Sequence, residues 1–347
     1  MDIYCTRPGC KQPLNSFADL DDRTLFLKTV PQRHCANCAM QLVLDGRYLA
    51  RKLLHQSELS ATFLGIDLQT TELKRCTIEQ ISIDPSFNPT QLELATDIFY
   101  REAGILEKIG KHPKIPRLLT SLEFTIPASH SSPQKFFYLI QEYIEGQSLQ
   151  DELLAQGKFT ETEVVSVLRE VSRILEFVHF QDAIHRDLKP SNIIRDSQGK
   201  IYLTNFGALR QLVAEATHVT GSTSTLASAA GDRGQTIYPS SDLYTLAVTC
   251  VSLITGKHPQ DLLNIETNNW QWQTPDLHVT DALAEILNTM LQQLPTDRFQ
   301  SARDVLDILD NTWVVPALSI TNSSISTASI SVCSTLSSLN LSHKPED

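Results

Sequence analysis

The chain has 347 residues, 41% of them apolar, enough for one large core in two lobes or for two cores with small appendages. Its formal charge of -11 argues against a nucleic-acid or anionic-membrane surface as the main partner, because those need clustered Lys and Arg and no such cluster is present. The longest apolar stretch, Leu243 to Ile254, is too short to span a bilayer and the N-terminus has no apolar signal core, so a cytoplasmic protein is expected.

Four of the seven cysteines fall in the first forty residues, and the other three are scattered, which is not a disulfide framework. Cys5 and Cys10 bracket a Pro8-Gly9 turn, and Cys35 and Cys38 form a C-x2-C pair. Two short-spaced thiol pairs can supply four thiolates to one tetrahedral zinc ion. His34, beside Cys35, is an alternative ligand or a donor to the thiolates. A zinc-ribbon-like segment over residues 1–45 is therefore expected. It holds too little apolar material to fold alone, so the metal would supply its stability, and four cysteines leave zinc no open position for catalysis.

Residues 46–143 change character. Arg47 to Leu54 and Ala61 to Ile66 read as two strands joined by a short turn, and a third follows around Lys74 to Ile83. Leu94 to Ile109 has helical apolar spacing and ends at Gly110 with His112-Pro113 beyond it. Leu118 to Phe124 and Phe136 to Ile140 are two further strands, making a lobe of five strands and one helix. Gln141-Glu142-Tyr143 with Gly146 reads as a hinge into residues 144–315, where helices dominate. Glu161 to Phe180 is one, and Asp242 to Gly256, apolar nearly all round, is the buried centre of that lobe. After Pro316 about half the residues are Ser, Thr or Asn with no sustained period, so 316–347 reads as a tail or linker.

Between those two helices, Ile184-His185-Arg186-Asp187-Leu188-Lys189-Pro190-Ser191-Asn192 matches the H-R-D-L-x-x-x-N pattern of a phosphoryl-transfer loop. In that pattern Asp187 orients or deprotonates a substrate hydroxyl, Lys189 steadies the γ-phosphate, and Asn192 holds a metal ion. With Phe99-Tyr100-Arg101-Glu102-Ala103, Gly110 to Pro116, Ser241-Asp242-Leu243-Tyr244 and Asp297-Arg298-Phe299, residues 1 to 315 resemble bacterial serine/threonine protein kinases, and most closely the cyanobacterial kinases that carry a four-cysteine motif. The resemblance implies an α+β, two-lobed fold, ATP with magnesium as cofactor, and a protein Ser or Thr as substrate. It also implies that Glu102 is the helix glutamate that pairs with a strand lysine, that Asp242 braces the loop backbone, and that Arg298 pairs with a glutamate of an A-P-E segment.

Four departures bear on that expectation. The G-x-G-x-x-G positions hold His55, Ser57 and Ser60, with Glu58 adding negative charge, so a plain hairpin turn is expected. The V-A-I-K register reads Cys76-Thr77-Ile78-Glu79, a charge reversal where a lysine should meet the phosphates and Glu102. Lys74 would face the other side of the strand, and Arg75 would lie about 13 Å along it. Thr62 and Thr77 would make the adenine slot more polar. The D-F-G site reads Asn205-Phe206-Gly207, whose amide lacks the carboxylate charge that holds magnesium. No A-P-E segment is present before Asp242, where Gly221 to Ala230 is small and hydroxyl-rich.

Three functions follow as expectations: a pseudokinase with a regulatory or scaffolding role, an active kinase using Asp187, Lys189 and Asn192 with Asn205 sharing the metal, or a zinc knuckle that docks proteins on a kinase-fold platform. Glu79 and Glu102 are expected to face each other, repelling until the helix swings away or the pair shares a proton.

Overall fold

A sheet of six antiparallel strands carries the small lobe, in the order β3-β4-β5-β6-β8-β7, where β3 is Val43–Leu44, β4 Tyr48–Gln56, β5 Ser60–Asp67, β6 Arg75–Ser82, β7 Leu118–Ile126 and β8 Gln134–Glu142. The computed structural model describes residues 1–20, 31–57, 60–83, 87–126, 134–206, 238–264 and 267–313. The sheet has one strand more than the five expected. The sixth, β3, returns through Asp45 and Gly46, both at positive φ (51° and 60°), as the central residues of a tight turn closed by the Arg47 N–H donating to the Leu44 carbonyl at 2.9 Å.

Side chains alternate across the two faces of a strand, so the pairing register decides what each face meets. Glu79 lies opposite Leu139 and Ile81 opposite Phe137, while Ile78 lies opposite Ile140 and Gln80 opposite Tyr138. The first set faces helix α1, Pro89–Ile109, where Phe99 stacks on Phe137 at 4.5 Å between ring centroids. Helix α1 starts five residues before Leu94 because Asn88 caps it and Pro89 supplies a preset first turn.

The second face meets the cysteine segment. There a short antiparallel pair, β1 (Asp2–Tyr4) and β2 (Leu14–Ser16), lies with the loop that leads to β3. Ile3, Met40 and Leu42 belong to one buried cluster with Phe63, Ile78, Phe136 and Tyr138. The first forty residues were expected to depend on metal alone for stability, but they share the small lobe's core. At about 25 cal/mol per Å² of apolar surface removed from water, that shared face contributes stability of its own.

The large lobe is helical, with α2 (Leu149–Gln156), α3 (Glu161–Phe180), α4 (Pro239–Thr255), α5 (Asp281–Met290) and α6 (Ala302–Thr312). Thr160 and Glu163 form a reciprocal capping box at the start of α3. Every residue of α4 from Ser240 to Ile254 is buried, and the helix stops at Gly256 in the left-handed conformation. A small sheet, β11 (Ile201–Leu203), β10 (Ile193–Arg195) and β9 (Gln147–Ser148), lies at the hinge. Met1–Thr312 forms one compact unit. Glu58, Gly207, the stretch Gly221 to Ala230 and the tail 316–347 lie outside the described residues. Among the described residues, no helix is long and apolar enough to cross a membrane.

Candidate functional site

Asp242, at the buried start of α4, organises the loop before β10. Its carboxylate accepts the backbone N–H of His185 at 2.8 Å and of Arg186 at 2.9 Å, and meets Nε2 of His179 at 3.0 Å. Burial alone would raise its pKa, but these bonds and the nearby histidines hold it below the ordinary carboxylate value. They also fix Arg186 at a φ of 67°, a backbone conformation that an arginine rarely adopts. His185 is fully buried, its ring 4.4 Å from that of Phe206 and its Nε2 3.0 Å from the Thr204 carbonyl oxygen. Burial disfavours its charged form and lowers its pKa.

The loop so fixed gathers the expected polar residues. Lys189 Nζ lies 2.9 Å from a carboxylate oxygen of Asp187. Asn192 donates from Nδ2 to the Asp187 carbonyl at 2.7 Å and to its carboxylate at 3.1 Å. Asn205 joins this group by donating from Nδ2 to Oδ1 of Asn192 at 3.1 Å. Two side chains that the resemblance assigns to a metal are thus bonded to each other, both are neutral amides, and the Asn192 oxygen already accepts one of the two bonds it can take. The set therefore does not fit a magnesium ion held against a triphosphate, which needs hard, charged oxygens aimed at one point.

The cleft between the lobes is a cavity of about 450 Å³, with Leu54, Thr62 and Thr77 on the small-lobe side and Lys189, Asn192, Ile194 and Asn205 on the other. Thr62 and Thr77 thus stand where the adenine slot was expected. At the base of the hairpin above it the Ser57 N–H donates to the Ser60 carbonyl at 2.8 Å and the two hydroxyls are 3.2 Å apart, while the turn expected at residues 58 and 59 lies outside the described residues. Glu79 is 6% exposed and Glu102 7%. The Glu102 pKa is raised, chiefly by burial, and the charges that act on it are those of Arg186 and Arg101, which pull the other way. The repulsion expected between Glu79 and Glu102 is therefore not what shifts Glu102. Arg75 does not replace the missing lysine: it pairs with Glu145 at 2.8 Å and lies over the Tyr143 ring, at the hinge. Lys74 is exposed and precedes β6.

Arg298, expected to lack its usual carboxylate, donates to the carbonyls of Gln292 at 2.7 Å and Gln293 at 2.9 Å. Its guanidinium lies 4.5 Å from the Tyr244 ring centroid. It ties the segment after α5 to α4, a role the one-dimensional motif gave no hint of.

The second site is the cysteine cluster. The sulfurs of Cys5, Cys10, Cys35 and Cys38 all lie within 4.8 Å of one another, with Cys5 to Cys38 at 3.5 Å and Cys10 to Cys35 at 3.7 Å. A tetrahedral ion bonded to sulfur at about 2.3 Å would separate its ligands by about 3.8 Å, so the donor set fits one metal ion. Those distances are too long for disulfides, and all four thiols are free. Burial would raise the Cys35 thiol, but the N–H groups of Asn37 and Cys38 and the side chain of Asn15 bring it down to about 6. Burial pushes the Cys5 thiol up. His34 is exposed and stands outside the cluster, bridged through its backbone to Gln41.

Comparison with known proteins bears on the family and the fold. The protein kinase domain family matches residues 68–314. Serine/threonine-protein kinase F of Synechocystis is 44% identical over 317 residues, covering 89% of this chain and 64% of the relative, and serine/threonine-protein kinase B of the same organism is 32% identical, covering 88% and 51%. The chain thus spans between about half and two thirds of the length of these relatives. Among solved structures, the kinase domain of Mycobacterium tuberculosis PknI superposes with a TM-score of 0.57 at 20% identity, over 76% of this chain and 95% of that one, a likeness of fold. With the family matched over more than half its length and the two-lobed fold in place, the chain belongs to the protein kinase domain family.

Proposed function

We propose that this chain is a pseudokinase, a two-lobed kinase domain that has given up phosphoryl transfer and serves kinase signalling as a regulatory or scaffolding protein. The observation that carries the reading is the pair of changes at the nucleotide: a buried glutamate, Glu79, where a lysine should meet the phosphates, and Asn205 donating to Asn192 where a carboxylate should hold metal. Catalysis in this reaction class is almost entirely positioning and charge neutralisation, and both changes remove it. The four cysteines would hold a zinc ion as a structural site, fixing the segment against the rear of the sheet. The alternative of an active kinase draws on Asp187, Lys189 and Asn192, which still stand together. Docking of partner proteins through the cysteine segment remains a third reading.

The test is thermal unfolding of the full chain with millimolar ATP and magnesium against magnesium alone. A ligand at a hundred times its Kd stabilises by about 2.7 kcal/mol, so occupancy cannot escape notice. No shift in Tm is expected. A magnesium-dependent rise, with radiolabel transfer lost in Asp187→Asn, would establish the active kinase instead.

A further inference from the structure

Strand β4 is paired unequally on its two sides. Along one side it matches β5 over its whole length, from Tyr48 opposite Asp67 to Gln56 opposite Ala61. Along the other, β3 covers Tyr48 and Leu49, and among the described residues no strand pairs with that side from Ala50 to Gln56. A sheet edge presents backbone N–H and C=O groups that an extended chain can pair with, and this open stretch is as long as an ordinary strand.

Two features of the edge select among partners. Arg51 and Lys52 lie on it, Lys52 is exposed, and no carboxylate stands between Ala50 and Gln56, in a chain whose formal charge is -11. The pairing with β5 also shifts register twice, between Ala50 and Lys52 and between Leu53 and His55. Cations and bulges of this kind stop an edge from pairing indiscriminately. A second copy of β4 would bring like charges together in one short strand pair, whereas carboxylates opposite Arg51 and Lys52 would add attraction to the backbone bonds.

Behind the same strand lies a second cavity, of about 280 Å³. Leu53 and Gln56 of β4 line it with Phe63 and Gln80 of the sheet, and Tyr4 and Pro8 of the cysteine segment complete it. Side chains alternate between the two faces of a strand, so every second residue of an added strand would point to this rear side, where the cavity has room for an apolar side chain. Backbone pairing along an edge, with pockets for alternate side chains, is a general mode of peptide recognition.

We propose that the open edge of β4 takes an extended acidic segment of a partner protein as an added strand, its carboxylates against Arg51 and Lys52 and an apolar side chain in the cavity between β4 and the cysteine segment. This gives the docking reading a surface and a partner chemistry and rests on that reading; it needs neither the loss nor the survival of phosphoryl transfer. By completing the cavity, the cysteine segment sets which side chain enters.

Fluorescence anisotropy on the full chain would measure the binding of octapeptides in which Glu alternates with Val, Leu or Phe, and of counterparts with Lys in place of Glu. Two further versions of the acidic peptide would carry backbone N-methyl groups, one on the Glu residues and the other on the apolar ones. The acidic peptide should bind about tenfold more tightly than its Lys counterpart, and less tightly as salt rises. Lys52→Glu should weaken it by about fivefold or more, with the circular dichroism and Tm of the free protein as in the parent. One N-methylated version should lose binding and the other keep it, because alternate residues of a strand pair with opposite neighbours. Bound peptide should slow hydrogen exchange between Ala50 and Gln56. No binding of the acidic peptide at millimolar concentration, equal binding of the Lys counterpart, unchanged affinity in Lys52→Glu, or equal tolerance of both N-methylated versions would each overturn the proposal. Exchange slowed at residues 4–10 and not in β4 would keep docking on the cysteine segment and defeat the added strand, and a dimer that protects β4 without peptide would make a second copy the occupant.

Discussion

Thr6 and Tyr138 are 132 residues apart in the chain, yet the Thr6 hydroxyl donates to the Tyr138 phenol oxygen at 3.1 Å, and both groups are buried. The Tyr138 hydroxyl returns a longer bond to the Thr6 carbonyl at 3.4 Å. These bonds tie the knuckle around Cys5 to the centre of β8, on the face away from the cleft. Burial raises the Tyr138 pKa, so the phenol stays protonated and able to donate at any ordinary pH.

That contact predicts a measurable coupling. Tyr138→Phe should cost about 1 kcal/mol in chemical denaturation, the usual worth of one neutral hydrogen bond whose partner is then left buried. Thr6→Val should cost a similar amount, and the double variant little more than either alone. Additive losses would mean that the two side chains stabilise the fold separately.

A second prediction concerns metal. Because the cysteine segment and the sheet share one core, removing zinc should loosen more than the first forty residues. Purified protein should carry about one zinc per chain, and the Cys35→Ser/Cys38→Ser variant should carry none. After chelation, hydrogen exchange should quicken in β4, β5 and β8 as well as around the cysteines, by roughly tenfold or more, while α3 and α4 keep their protection. Acceleration confined to residues 1–45 would show the segment to be an independent appendage.

Much of this was legible in the residues. The capping pair Thr160 and Glu163 at the start of α3, and Gly256 at the end of α4, mark those helix ends in one dimension as they do in three. The loop from His185 to Asn192 placed its polar groups by spacing alone. The rear contact was harder. Phe136-Phe137-Tyr138-Leu139-Ile140 is apolar at every position, the mark of a strand covered on both faces, and that was the available signal that something lies behind the sheet. β3 is two residues long, below any periodic signal, although Asp45-Gly46 announces its turn. What no spacing could convey is that Arg186, 84 positions beyond Glu102 in the numbering, supplies a charge to it.

The last prediction follows from that charge environment. Burial raises the Glu102 pKa above its ordinary value, against the pull of Arg186 and Arg101. As pH falls, the folded protein therefore takes up this proton before the unfolded chain does. Stability decreases as pH rises from the unfolded value, about 4.3, through the higher folded one, above which the full penalty is present. Glu102→Gln removes the charge that burial disfavours. It should stabilise the protein at pH 7 by an amount on the order of 1 kcal/mol, and the advantage should vanish below about pH 4, where the parent is protonated in both states. Glu79→Lys tests the geometry from the other side. If position 79 faces Glu102, the new cation draws the carboxyl below its ordinary value, and the slope of stability against pH through the carboxylate range reverses. In Glu79→Lys/Glu102→Gln that reversal should disappear. Denaturation at a series of pH values from 3 to 8 on the parent, both single variants and the double variant decides the matter. A destabilised Glu102→Gln at pH 7 would make the Arg186 attraction the larger effect, and an unchanged slope in Glu79→Lys would separate the two positions in space.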